Sequence, residues 1–191
     1  MTHPWKSSGS KRTVWWYYSP SDSILLYLRD MRDATRYGVM KSYIHWKGDG
    51  TIPSPIDLRR EMKDWFDSRY CYARHHINPV CRSSIAILRS FRKNHHNKKY
   101  PVVRKLSVRL DSELVKIVGD RLRITIRPGE YEYILINTEN KKWKEYSNHG
   151  IGEVLITDRV VAISFKFPGK ELSDEDCTSF NSIIQYLVVT V

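Results

Sequence analysis

The chain has 191 residues, 41% of them hydrophobic, with a mean hydropathy of −0.51 and a net charge of +11. A chain of this length hides roughly 70% of its unfolded surface and so holds a real core, while no apolar run approaches the ~20 residues that cross a bilayer. Met1-Thr-His-Pro-Trp-Lys6 lacks the apolar stretch of a signal peptide, and Cys71, Cys81 and Cys177 have no paired spacing, so a cytoplasmic protein without a membrane partner is expected.

Three zones follow one another along the chain. Lys11-Arg-Thr-Val-Trp-Trp-Tyr-Tyr18 is aromatic and β-favouring and stops at Ser19-Pro20, which predicts one isolated strand. From Ser21 or Asp22, either of which can cap, a helix carries Ile24, Leu28, Met31 and Thr35 to about Trp46 and ends at Gly48-Asp-Gly50. Thr51-Ile-Pro-Ser-Pro55 reads as a loop, and a second helix follows with Leu58, Met62, Trp65 and Phe66 on one side. A third helix is expected to start with Asn78 as cap and Pro79 at its first position, turning Ser84, Ile87, Leu88 and Phe91 inward. From Tyr100 to Phe167 the pattern is β, with strands expected at Val102–Leu110, Leu114–Val118, Arg121–Ile126, Tyr131–Ile136, Gly152–Thr157 and Val160–Phe167, and a loop at Asn137–Lys142. An isolated strand exposes its backbone groups, so the N-terminal one needs a partner. The expected fold is α+β: a small antiparallel β-barrel, OB-like, with a helical domain inserted after its first strand. The corresponding boundaries are residues 1–19 for the first strand, 20–98 for the helical domain, 99–168 for the rest of the barrel and 169–191 for a tail of unassigned structure.

The positive charge is concentrated. Arg69 to Arg109 holds eleven Lys/Arg, four His and no Asp or Glu, whereas the rest of the chain carries 21 basic and 21 acidic residues. Solvated faces ordinarily mix signs, as Asp57–Asp67 does. An acid-free basic stretch points instead to a polyanion, whose phosphates release counterions when neutralised. Arg82, Arg89 and Lys93 fall on one helical face, opposite the apolar stripe, as a helix lying along a phosphate backbone would need. The expected phosphate contacts are Arg69, Arg74, Arg82, Arg89, Lys93, Lys98, Lys99, Arg104 and Lys105, supported by Arg121 and Arg123, which share one strand face. Tyr70, Tyr72 and Tyr100, set among these arginines, and Trp143, between two lysines on a loop or edge, are candidates for stacking on bases. The expected partner is RNA or DNA, or both; the oligomeric state stays open.

Particular pieces in this order carry a resemblance. Tyr72-Ala-Arg-His-His-Ile-Asn-Pro-Val-Cys-Arg82 and Leu88-Arg-Ser-Phe-Arg-Lys93 are followed by Lys98-Lys-Tyr-Pro-Val-Val-Arg-Lys105. Then come Arg121-Leu-Arg-Ile-Thr-Ile-Arg-Pro-Gly129, Gly152-Glu-Val-Leu-Ile-Thr157 and Val160–Phe165. Over roughly Lys11–Phe167 the set resembles the N-terminal half of TnpB/OrfB-type insertion-sequence proteins in an archaeal form. The resemblance implies a wedge barrel with an inserted recognition domain. In that family, of RNA-guided DNA endonucleases, these parts hold the guide RNA, the guide–target duplex and the short flanking duplex motif. Cutting there belongs to a RuvC-like domain with three acidic residues and an inserted four-cysteine zinc ribbon. After Phe167 this chain departs from the pattern: Asp174 and Asp176 sit in the polar run Pro168–Phe180, and no Cys-x-x-Cys pair is present. A truncated, transposon-derived binding half without catalytic residues is therefore expected.

Other constellations are weaker. Cys71, His75, His76 and Cys81 are zinc-type ligands within eleven residues, but their spacing matches no established finger and Pro79 intervenes. No metal or other cofactor is expected, and nothing resembling an oxyanion loop accompanies a Cys–His pair. Trp15-Trp-Tyr-Tyr18 could stack on bases, though alternation puts one of each neighbouring pair into a core. Rival readings are a stand-alone DNA-binding regulator of transposition or transcription, a divergent metal-dependent nuclease using Asp174, and a remnant that exposes apolar surface meant for an absent domain.

Overall fold

The computed structural model describes residues 11–94 and 100–167. Helix α1, Asp22–Asp49, starts where Ser21 accepts a hydrogen bond from the Ile24 amide and stops at Gly50, whose φ of 71° lets its N–H reach the Trp46 carbonyl. Helix α2, Pro55–Arg69, is capped by Ser54 with Pro55 at its start, where a missing N–H costs nothing. The third helix departs from expectation. A 3-10 turn, Arg74–His76, runs directly into α3, Ile77–Asn94, so Asn78 and Pro79 lie inside the first helical turn and do not cap it. Ile85, more than Ile87, fills the inward position beside Ser84, Leu88 and Phe91.

The three helices close around one glycine. A Cβ on Gly38 of α1 would lie 2.4 Å from the Ser84 hydroxyl of α3 and 3.1 Å from the Met62 sulfur of α2. Ser84 in turn donates to backbone carbonyls of Thr35 and Val80, and Tyr37 stacks on Trp65 at 3.9 Å between ring centres.

The strands are β1 (Lys11–Tyr17), β2 (Ser107–Asp111), β3 (Val115–Val118), β4 (Arg121–Arg127), β5 (Glu130–Leu135), β6 (Gly150–Thr157) and β7 (Val160–Lys166). They form an antiparallel sheet in the order β1-β7-β6-β2 and a separate antiparallel meander, β3-β4-β5. The fold is α+β, with the helices inserted between β1 and the other strands and β1 paired to β7. The expected barrel does not close among the described residues. Where β5 would join β1, the link is an indole: Trp16 Nε1 donates to the Leu135 carbonyl at 3.1 Å, beside an open cleft of about 550 Å³. Where β2 would join β3, the chain turns and the Leu114 carbonyl accepts from the Thr125 amide of β4. A kink in β6 between Ile151 and Val154 is satisfied by one side chain, since the Ser164 hydroxyl both accepts from the Glu153 amide and donates to its carbonyl.

A short helix α4, Lys141–Tyr146, capped by Asn140, takes the place of part of the expected loop. It carries Trp143 into the core, edge-on to Trp16 and Phe165. One continuous cluster of buried residues runs from Tyr27, Leu28 and Ile85 in the helices to Leu122, Val154 and Phe165 in the strands. His76 ties the two parts together. Its Nε2 lies 2.7 Å from the Thr125 carbonyl, which can only accept, so Nε2 carries the proton and Nδ1 accepts from the Tyr27 hydroxyl at 2.9 Å. No helix among the described residues is long and apolar enough to cross a membrane.

Candidate nucleic-acid interface

The outward face of α3 is set by the residues it buries. With Ile77, Val80, Cys81, Ser84, Ile85, Leu88 and Phe91 turned into the bundle, the exposed positions Arg82, Ala86, Arg89 and Lys93 follow at steps of four, three and four and line one face. At 1.5 Å per residue this stripe is about 16 Å long, the axial rise of about five phosphates along one strand of a duplex. Arg92, exposed beside Lys93, adds charge to its flank; it was not marked by the spacing because it lies about 100° of turn away from Lys93. Arg74 is exposed in the turn that leads into α3.

A segment without acids in sequence is not without acids in space. Arg82 reaches Asp111 at the end of β2, with Nη2 2.8 Å from Oδ2, and His75 reaches Glu113 at 2.7 Å. Arg109 lies 3.8 Å from Glu153 and Arg121 3.7 Å from Asp120. Arg82 is thus a tethered cation that must leave Asp111 to contact a phosphate, and an exposed pair of this kind is worth at most about 1 kcal/mol. Among the described residues Arg74, Arg89, Arg92, Lys93 and Arg104 form no ion pair. Arg104 is exposed in the extended segment that leads from Tyr100 to β2 along α1, where the Val103 carbonyl accepts from Arg36 at 2.8 Å. Partial burial draws the neighbouring Lys105 ammonium below its usual range. Arg69 is exposed at the end of α2, its guanidinium 5.9 Å from the Trp65 ring centre. Lys98 and Lys99 lie outside the described residues. Arg121 and Arg123 belong to another patch, the outer face of the three-stranded meander.

The expected stacking residues separate clearly. Tyr70 is buried, lying on Tyr72 with its edge towards Trp65, and Trp143 keeps only 7% of its surface exposed. Neither ring has a free face for a base, because each fills core volume that a large apolar ring stabilises best. Tyr72 donates its hydroxyl to Asp30 at 2.6 Å, and desolvation in that contact pushes its phenol above the usual range. Tyr100 stays 39% exposed with its edge against Tyr43. In β1, Val14 and Trp16 face the core, whereas Trp15 and Tyr17 are exposed.

The zinc-type ligands diverge. Cys71 is exposed, Cys81 is buried with its thiol pushed up to about 12 by desolvation, His75 faces Glu113, and both nitrogens of His76 are used internally. Among the described residues no three His, Cys, Asp or Glu side chains are grouped to hold a metal. Cys177 and the run containing Asp174 lie outside the described residues.

The sequence is similar to that of known proteins. TnpB-like protein MJ1635 of Methanocaldococcus jannaschii is 26% identical over 127 residues, which is 63% of this chain and 30% of that protein. The chain therefore spans under a third of the length of that relative. A family model described as the Uncharacterized protein MJ0013 family matches residues 27–125, a range that contains α1 from Tyr27 onward, all of α2 and α3 with the basic stripe, and β2, β3 and β4 up to Thr125. That range is more than half of the chain, and the chain belongs to the MJ0013 family.

Proposed function

We propose that this chain is a transposon-associated nucleic-acid-binding protein that holds RNA, or an RNA–DNA duplex, along the exposed face of α3. The observation that carries the reading is the stripe itself. Arg89 and Lys93, with Arg92 next in sequence and Arg74 in the turn that leads into the helix, are exposed cations with no acidic partner among the described residues, on a helix whose other face is fixed by packing. Cations left unpaired on a rigid element are available to phosphates without first breaking internal contacts. The likeness to a TnpB-like protein supports a role in the life of a mobile element.

Contacts of this kind position a backbone and carry no sequence information. Specificity would come from base pairing with a guide strand, as in RNA-guided systems. No catalytic step is assigned to the described residues. The test is fluorescence anisotropy with the full chain at matched salt on a structured RNA, an RNA–DNA hybrid and duplex DNA of equal length. The reading expects RNA or the hybrid to bind more tightly, and Arg89→Ala with Lys93→Ala to weaken all sequences by the same factor. Tighter binding to duplex DNA would favour a DNA-binding regulator instead, and no binding to any of the three would remove the proposal.

A further inference from the structure

The outer face of the meander presents a second arrangement that the stripe does not explain. Period-two alternation and the register put Lys116 and Val118 of β3, Arg121, Arg123 and Thr125 of β4, and Tyr131, Tyr133 and Leu135 of β5 on one side of the sheet, away from Leu122 and Ile124. Lys116, Arg123 and Tyr133 form one row across the strands. The tyrosines are 41% and 47% exposed, and Leu135 64%. Exposed rings on a rigid sheet are unusual, because they forgo the burial that stabilises aromatic side chains. Here they are mixed with three cations; Asp120 sits in the turn near Arg121, Glu130 pairs with Arg127 at the β4–β5 turn, and Glu132 belongs to the opposite face. The Arg123 guanidinium lies 4.4 Å over the Tyr131 ring, and its Nε has no hydrogen-bond partner among the described residues.

We infer that this face is a platform for unpaired bases of a single-stranded nucleic acid, with Tyr131 and Tyr133 as the stacking rings and Lys116, Arg121 and Arg123 as the phosphate contacts. Two residues apart on one strand, the rings are separated by about 6.8 Å. That is twice the roughly 3.4 Å rise between stacked bases in a strand. Each ring therefore takes its own base from a splayed, extended strand, which a duplex with its bases turned inward cannot offer. The positive charge selects this occupant over an apolar protein surface, which would desolvate three cations of which only Arg121 has an acid, Asp120, nearby. The inference extends the reading of α3 to a second, separate site, and either can fail alone.

The test is anisotropy with the full chain and a 15-nucleotide labelled oligouridine, beside an RNA hairpin stem of the same charge. Tyr131→Leu with Tyr133→Leu should weaken the single strand by about fivefold or more per lost ring while leaving the stem and the salt slope unchanged. Tyr131→Phe with Tyr133→Phe should keep wild-type affinity, since stacking does not need the hydroxyl; this pair also covers the case in which the leucine variant unfolds. Arg89→Ala with Lys93→Ala should weaken the stem, which separates the two sites. Unchanged single-strand binding in a folded leucine variant would overturn the inference. So would sedimentation showing that the leucine pair dissolves a dimer while oligouridine binding persists.

Discussion

Acid should unfold this protein partly through one histidine. The His76 ring is fully buried between the helical bundle and the meander, and burial holds its pKa down from 6.5 to about 4. The geometry says why the neutral ring is preferred. Nε2 donates to the Thr125 carbonyl, so a second proton would have to sit on Nδ1, where the buried Tyr27 hydroxyl already donates. Between pH 6.5 and pH 4 the unfolded chain binds a proton that the folded chain refuses, so stability falls as the pH is lowered through that window. At about 1.4 kcal/mol per pKa unit the loss amounts to about 3 kcal/mol, most of it spent by pH 4.5. The assay is urea unfolding of wild type and His76→Gln from pH 7.5 to 4.5. The substitution carries its own constant cost in lost hydrogen bonds, so the informative quantity is the pH dependence of the difference. His45, which its hydrogen bond to Glu61 raises, titrates in both proteins and cancels. The wild type should lose about 2–3 kcal/mol relative to the variant over this range. A difference that does not change with pH would refute the role given to His76.

Two further substitutions probe the packing and the charge. Gly38→Ala places a methyl 2.4 Å from the Ser84 hydroxyl and should destabilise the chain by about 1–3 kcal/mol in thermal or urea unfolding, with no change in the salt dependence of binding. Asp111→Asn keeps an oxygen for the Glu113 amide but releases Arg82 from its carboxylate, so nucleic-acid binding should tighten and its salt slope should steepen by up to about 0.9. Unchanged binding in that variant would mean Arg82 points away from the ligand.

Much of this architecture can be read from local signals. Ser21, Ser54-Pro55 and Gly50 mark helix ends because their side chains or φ values satisfy orphan backbone groups, and each acts there as its type suggests. The alternation Arg121-Leu-Arg-Ile correctly separates an outer from an inner strand face. Strand pairing is another matter. Period two says which way a residue points but not which neighbour it joins, so seven strands were compatible with a barrel that in fact opens into two sheets at Trp16 and at the β2–β3 turn. Trp143 was misplaced for a related reason. Helix α4 is only six residues long, and the pair Trp143 and Tyr146 at a three-residue spacing is too short a period to outweigh the surrounding lysines. The Arg82–Asp111 pair joins residues 29 apart, and no count along the chain reveals it. Nothing local marks Gly38 either, since the three helices that meet on it are distant in sequence.

The central claim is that phosphates lie along α3, and the salt dependence of binding measures it directly. For the full chain on a structured RNA, log K should fall linearly with log salt, and Arg89→Ala with Lys93→Ala should flatten that slope by about 0.7–0.9 for each cation removed. A slope identical to that of the wild type would place the nucleic acid elsewhere and contradict the account.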